Sequence, residues 1–143
     1  MTMADRQVIR EALATALLIA IPDYEEVIGH TTQDFGGKTP VATVLSAGSD
    51  RPPMTAVGGR STFFYSLNHW VLYASEDDSW TEQNAEDKMD DLERQLAQFV
   101  HANRSTTHWN DLAYDSRSII RNIPIGGDTY LHEQFSIKVE VFG

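Results

Sequence analysis

The chain has no cysteine among its 143 residues, which excludes disulfides, thiolate nucleophiles and thiol-bound metals. No apolar run is long enough to cross a bilayer; the richest, residues 14–21, is about two turns of an amphipathic helix flanked by acidic residues. The N-terminus lacks the basic lead and small-residue cleavage pattern of a signal peptide, so export is not expected. Positive charge is scarce too. Eleven Lys and Arg stand against 21 Asp and Glu, for a formal net charge of −10, which argues against a protein that tracks nucleic-acid phosphates. Such a surface repels DNA and anionic membranes alike; it serves solubility, or it lets DNA pass without holding it.

Catalytic spacings are missing as well. His30, His69, His101, His108 and His132 include no i, i+4 pair and no HExxH, so no zinc pattern forms. There is no phosphate-binding GxxxxGK loop, no GxGxxG and no GxSxG elbow. Gly36-Gly37, Gly58-Gly59 and Gly126-Gly127 fall in predicted turns. Neither a catalytic residue, a cofactor nor a metal site is expected. The acidic run Glu76-Asp77-Asp78 lacks the ligand spacing of a calcium loop and reads as a solvated turn before a helix.

What is present is a folding pattern. The hydrophobic fraction of 41% and charged fraction of 22% are those of a globular domain, so one domain over residues 1–143 is expected. Val8, Ile9, Ala12, Leu13, Ala16, Leu17 and Ala20 repeat at helical spacing, and Pro22 ends the pattern. Residues 40–47 are rich in β-branched side chains and read as a strand, whereas 24–32 is ambiguous, with Val27-Ile28 a candidate short strand. Residues 48–60 hold glycines and prolines without periodicity and read as a long loop. A strand over 63–74 is apolar in places on both faces, as a central strand is. Ser79 and Glu82 make a capping box for a helix whose stripe is Ala85, Met89, Leu92, Leu96, Phe99 and Val100. Residues 109–115 read as a connector and 116–125 as a strand.

The final strand, 131–141, alternates Leu131, Glu133, Phe135, Ile137, Val139 and Val141 with polar residues, so one face is buried and one wet. The whole predicts an α+β fold: a single mixed, mainly antiparallel sheet packed against two main helices.

Glu133 breaks the dry face, and a buried carboxylate is costly unless paired. A hairpin across Gly126-Gly127 brings 121–123 near 131–133, which makes Arg121 and Glu133 a candidate intramolecular ion pair. The alternative sets Glu133 where one subunit meets the next. His69, inside a covered strand, reads as a hydrogen-bonded core histidine.

The chain also resembles the tail terminator (tail completion) proteins of long-tailed bacteriophages and related tailed viruses. The likeness spans nearly the whole length. It is carried by the opening helix 8–20, Thr39-Pro40-Val41, the strand 63–74, and the helix 86–100 with Asp91-Leu92-Glu93. It ends on Ile125-Gly126-Gly127-Asp128-Thr129-Tyr130 followed by Ile137-Lys138-Val139-Glu140-Val141.

The resemblance implies a non-enzymatic virion protein at the head–tail junction, assembled in the host cytoplasm. It implies a homo-oligomeric ring, usually a hexamer, that caps the tail tube and offers a docking surface to the head or neck. Its partners would be further copies of itself, the tail tube protein and a head-closure or neck protein. DNA would pass through an acidic lumen without specific binding, and no membrane is involved.

Loop 48–60, with Arg51, Pro52, Pro53 and Met54 near its tip, is expected to contact a neighbouring subunit or the tube. The alternatives are another ring of the junction (a head-closure or tail-to-head joining protein), a small-molecule-binding or hydrolytic α+β domain using Glu76, Asp77 and His69, and a cellular adaptor.

Overall fold

The computed structural model describes residues 4–29, 39–51, 59–74, 82–125 and 128–142. The elements run α1 (Arg6–Ala20), β1 (Glu26–Ile28), β2 (Val41–Asp50), β3 (Arg60–Ala74), α2 (Glu82–Ala102), β4 (Asp111–Tyr114), β5 (Ile119–Ile125) and β6 (Asp128–Phe142). The six strands make one sheet in the order β1-β2-β3-β6-β4, and β5 also pairs with β6. β1 and β2 are parallel; the other pairings are antiparallel. The fold is therefore α+β, with a mixed six-stranded sheet and two helices.

Asp5 starts α1 by accepting a 2.9 Å hydrogen bond from the Gln7 amide, which satisfies one of the free N–H groups of the first turn. Ile9, Leu13 and Leu17 form its buried row at i, i+4, i+8. Val8 lies one position off that row and is 54% exposed, although the spacing had placed it in the stripe. In α2 the expected stripe of Ala85, Met89, Leu92, Leu96, Phe99 and Val100 is buried throughout. Ser79, the forward half of the expected capping box, lies outside the described residues.

Both helices cover the same side of the sheet. α1 packs on β1 and β2, α2 on β3, β6 and β4, and one core joins them. β3 and β6 pair along their whole lengths, from Arg60 opposite Phe142 to Ala74 opposite Thr129, and form the spine of the sheet. Their helix-facing residues are Phe63, Tyr65, Leu67, His69 and Val71 on β3, and Leu131, Glu133, Phe135, Ile137 and Val139 on β6, all buried. Each apolar side chain among them contributes roughly 1.5–3 kcal/mol on burial. On the opposite face Val41 and Tyr130 are buried against Ile28, Trp70, Leu72 and Ile125, a second and smaller cluster.

The ambiguity over residues 24–32 is resolved: Val27 and Ile28 form the candidate short strand, β1, which pairs briefly with β2. Two expectations need correction. The supposed connector 109–115 contains β4, which pairs with the last part of β6. β2 takes in Gly48, Ser49 and Asp50, which the lack of periodicity had assigned to a loop. An irregularity between Ser46 and Gly48, with Gly48 at φ 138°, shifts the register there and erases the alternation.

Candidate functional site

β6 places Glu133 in the middle of the helix-facing side, 3% exposed and directly opposite His69 of β3. The carboxylate is only half satisfied. Ser118, just before β5, donates to its Oε2 at 2.7 Å, while Oε1 has no partner among the described residues. Burial raises the Glu133 carboxyl above its usual range; the Ser118 bond opposes this, and the carboxylates of Glu93 and Asp90 on α2 add to it. Tyr114, at the end of β4, is pushed up to about 12 by burial, then by Glu93 and Glu133.

His69 is wholly buried, as expected. Its Nε2 and the Tyr24 hydroxyl share a 2.5 Å hydrogen bond, and its ring meets Phe135 edge-on with centroids 5.0 Å apart. Desolvation holds its pKa down at about 3, with a smaller contribution from His132, so it is neutral in the fold. Its Nδ1 has no partner among the described residues. Glu133 and His69 are thus buried neighbours with one unpartnered atom each and no bond between them.

The expected Arg121–Glu133 pair does not form. β5 and β6 pair Ile125 with Asp128, and so Arg121 with His132 and Ile120 with Glu133. Opposite residues share a face, so Arg121 points to the other side of the sheet from Glu133. The hairpin was correctly centred, but the register is one residue from the one the ion pair needs. The partner that sequence reasoning missed is Ser118, which has the right parity but lies before the strand.

On that other face His132 lies over Trp70, centroids 4.2 Å apart, and its Nε2 bonds to Asn68 Oδ1 at 2.7 Å. Desolvation, then the Arg121 guanidinium, lower its pKa to about 4. Ser66 accepts from Asn68 and Gln134, and Trp70 donates to Thr43, so this face is a polar network laced with aromatic rings.

Arg51 stands at the foot of its loop, immediately after β2, and not near a tip. It is exposed yet folded back on its own chain. Nη2 donates to the Ala4 carbonyl at 2.8 Å, and the guanidinium lies 4.9 Å from the centre of the Phe63 ring. Pro52, Pro53 and Met54, and likewise Glu76, Asp77 and Asp78, lie outside the described residues. Among the described residues no group of three His, Asp or Glu side chains is placed to hold a metal ion, and no helix is long and apolar enough to cross a membrane.

The remaining feature is an open edge. Among the described residues β5 pairs only with β6, so its other side is free. Ile119 and Ile120 on it are 50% and 53% exposed, on opposite faces of the strand. No family model and no curated protein matches the chain.

Proposed function

We propose that the chain is a structural virion protein that self-associates into a ring, caps a tail tube and presents the docking surface for the head or neck. Two lines support the reading: the resemblance in the opening helix, the 63–74 strand and the closing hairpin, and the α+β fold. The observation that carries self-association is the open β5 edge. A strand with one unpaired edge and exposed isoleucines is a template for another chain, and soluble proteins usually blunt such edges with charge or proline or cover them. Here Arg121 is the only charged residue in the strand and Pro124 stands near its end, which leaves the Ile119–Ile120 end open. Burying the exposed half of Ile119 and Ile120 against a second copy would contribute on the order of 1 kcal/mol each. The net charge of −10 suits a ring through which DNA slides, because attraction would act as a brake.

The test is capping. Purified chain is mixed with tail tubes lacking their terminal protein, and tube length and end decoration are followed by negative-stain microscopy, with native mass spectrometry of the chain alone. A ring seated on one tube end is the expected result. A chain that stays monomeric and leaves tubes bare overturns the reading. Ile119→Glu, whose side chain lies opposite Gln134 and not opposite Glu133, is expected to unfold no more readily than wild type, within about 0.5 kcal/mol for a surface change, but to lose ring formation.

A further inference from the structure

Eight arginines and three lysines serve the whole chain, and three of the arginines converge on one place. Arg6 and Arg10 on α1, together with Arg51 after β2, line an open recess of about 770 Å³ with Ser46 and Ser49. Their bonds go to neutral groups. Arg6 Nη1 donates to Ser49 Oγ at 3.0 Å, Arg10 Nη1 to Ser46 Oγ at 2.8 Å, and Arg51 to the Ala4 carbonyl. Elsewhere Arg60, Lys88, Arg94 and Arg104 each hold a carboxylate. None of the three recess arginines does so among the described residues, where Arg10 Nε is also buried without a hydrogen-bond partner. Arg117, Arg121 and Lys138 hold no carboxylate there either, but it is the gathering of three guanidiniums around one recess that marks a place for carboxylates from outside.

The shape decides what arrives. The recess is open, and the Asp5 carboxylate already holds the Gln7 amide in the first turn of α1. A compact phosphate would therefore compete with Asp5 for the amides that normally cradle it. What remains is a spread of guanidiniums, suited to several carboxylates carried on one rigid surface.

The same chain has such a surface. Glu86, Asp90 and Glu93 lie at i, i+4, i+7 on one exposed stripe of α2, and none forms an ion pair among the described residues. The two patches are on different helices, which cover different strands of the sheet. The recess belongs to α1, which covers β1 and β2 at one edge of the sheet. The stripe belongs to α2, which covers β3, β6 and β4 toward the other edge, where β5 is open. One copy cannot join its own patches, but successive copies can, and a contact between two different patches is the head-to-tail kind that closes into rings.

We propose that the Arg6–Arg10–Arg51 recess is a subunit contact that receives the Glu86–Asp90–Glu93 stripe of a second copy of this chain. The proposal rests on the ring reading above and adds to it the pairing of surfaces.

Charge swapping tests it. Arg6→Glu/Arg10→Glu and Glu86→Lys/Asp90→Lys are prepared separately, their folding is checked by circular dichroism, and association is measured by sedimentation at low salt. Each variant alone is expected to associate at least about a hundredfold more weakly than wild type, since like charges then face each other. An equimolar mixture is expected to regain assembly, because every contact in an alternating ring is again complementary. Wild-type association is expected to weaken at least about tenfold between about 0.05 and 0.5 M salt.

Should a reversal disturb folding, the neutral pairs Arg6→Gln/Arg10→Gln and Glu86→Gln/Asp90→Asn replace it, each expected to weaken association. The proposal is overturned if wild type stays monomeric at the highest attainable concentration, if the variants assemble like wild type, or if the mixture fails to recover. Saturable binding of inorganic phosphate or a short DNA duplex to the recess, without self-association, overturns it in favour of a phosphate site. The outcomes separate from those of the tube assay. Charge-dependent assembly without capping leaves this contact and removes the tail reading; capping that survives both reversals does the opposite.

Discussion

Replacing Glu133 by glutamine is expected to stabilise the protein at neutral and alkaline pH. The residue is 3% exposed, one oxygen is held by Ser118 and the other has no partner among the described residues. Burial raises the carboxyl in the fold, more than the Ser118 bond lowers it, and Glu93 and Asp90 push the same way as burial. The sign of the pH effect follows. An unfolded glutamate titrates near 4.5, so from there up to the raised folded value the native chain binds more protons than the unfolded chain. Stability is therefore lost as pH rises through that window, and the whole of the loss is present above it.

Glutamine keeps the size and the Ser118 bond but has no such titration. A buried acceptor left without its partner costs roughly 1–3 kcal/mol, with charged groups at the upper end. Glutamine's NH2 is left equally unpartnered, so only the difference between a charged and a neutral unsatisfied group is recovered; we expect Glu133→Gln to gain about 1 kcal/mol in urea unfolding at about pH 8, and the gain to shrink steadily as pH falls toward 4.5. A variant less stable than wild type by more than about 1 kcal/mol at that alkaline pH would refute the reasoning, because the ionised carboxylate would then have to be held by a cation. A gain that does not change with pH would refute the assigned cause.

Other expectations are simpler. His69, held neutral with its pKa near 3 while the unfolded imidazole titrates at 6.5, makes stability fall as pH drops through that interval, by roughly 5 kcal/mol in all; His69→Phe should remove much of this slope in acid-unfolding curves. Arg51→Ala removes the bond to the Ala4 carbonyl and the contact with the Phe63 ring, and should lower stability by about 1 kcal/mol in thermal unfolding while leaving the fold intact. Leu92→Ala, at a fully buried point of α2, should cost about 2–5 kcal/mol, read by the same method.

The elements that sequence reasoning located are those whose side chains repeat with a steady period against one core. α2 buries the stripe its spacing predicts, and α1 and the spine strands β3 and β6 bury most of theirs, with Val8 and Ala20 at the exposed margin of α1, because nothing interrupts the period over their length. β1 and β4 are too short for a period to show and are strands only by virtue of the neighbour they pair with. β2 was cut short where the irregularity after Ser46 inverts its alternation. The site was harder still. That Glu133 is buried was legible from the alternation, but its partner was not. Choosing Arg121 over Ser118 needs the register to the exact residue, and a strand turns every side chain over with a one-residue error. The recess was not legible at all, since nothing in a linear sequence brings Arg51, about forty positions away, beside Arg6 and Arg10.

That register also governs how charge is distributed over the molecule. Had Arg121 reached Glu133, a cation would have sat on the α2 side of the sheet, near Asp90 and Glu93, whose carboxylates act on Glu133. Instead Arg121 turns to the His132 face, and the α2 side keeps Glu133 beneath a helix whose exposed stripe is acidic. Three guanidiniums without a carboxylate gather around one recess on the α1 side, over β2, while Arg117 and Arg121 stay beside β5 and exposed carboxylates occur on both sides of the sheet. What the fold separates is therefore two local patches, the recess on α1 and the acidic stripe on α2, and not the charge of the whole molecule. A contact between two such different patches joins successive copies head to tail, whereas a two-fold axis would set each patch against its like.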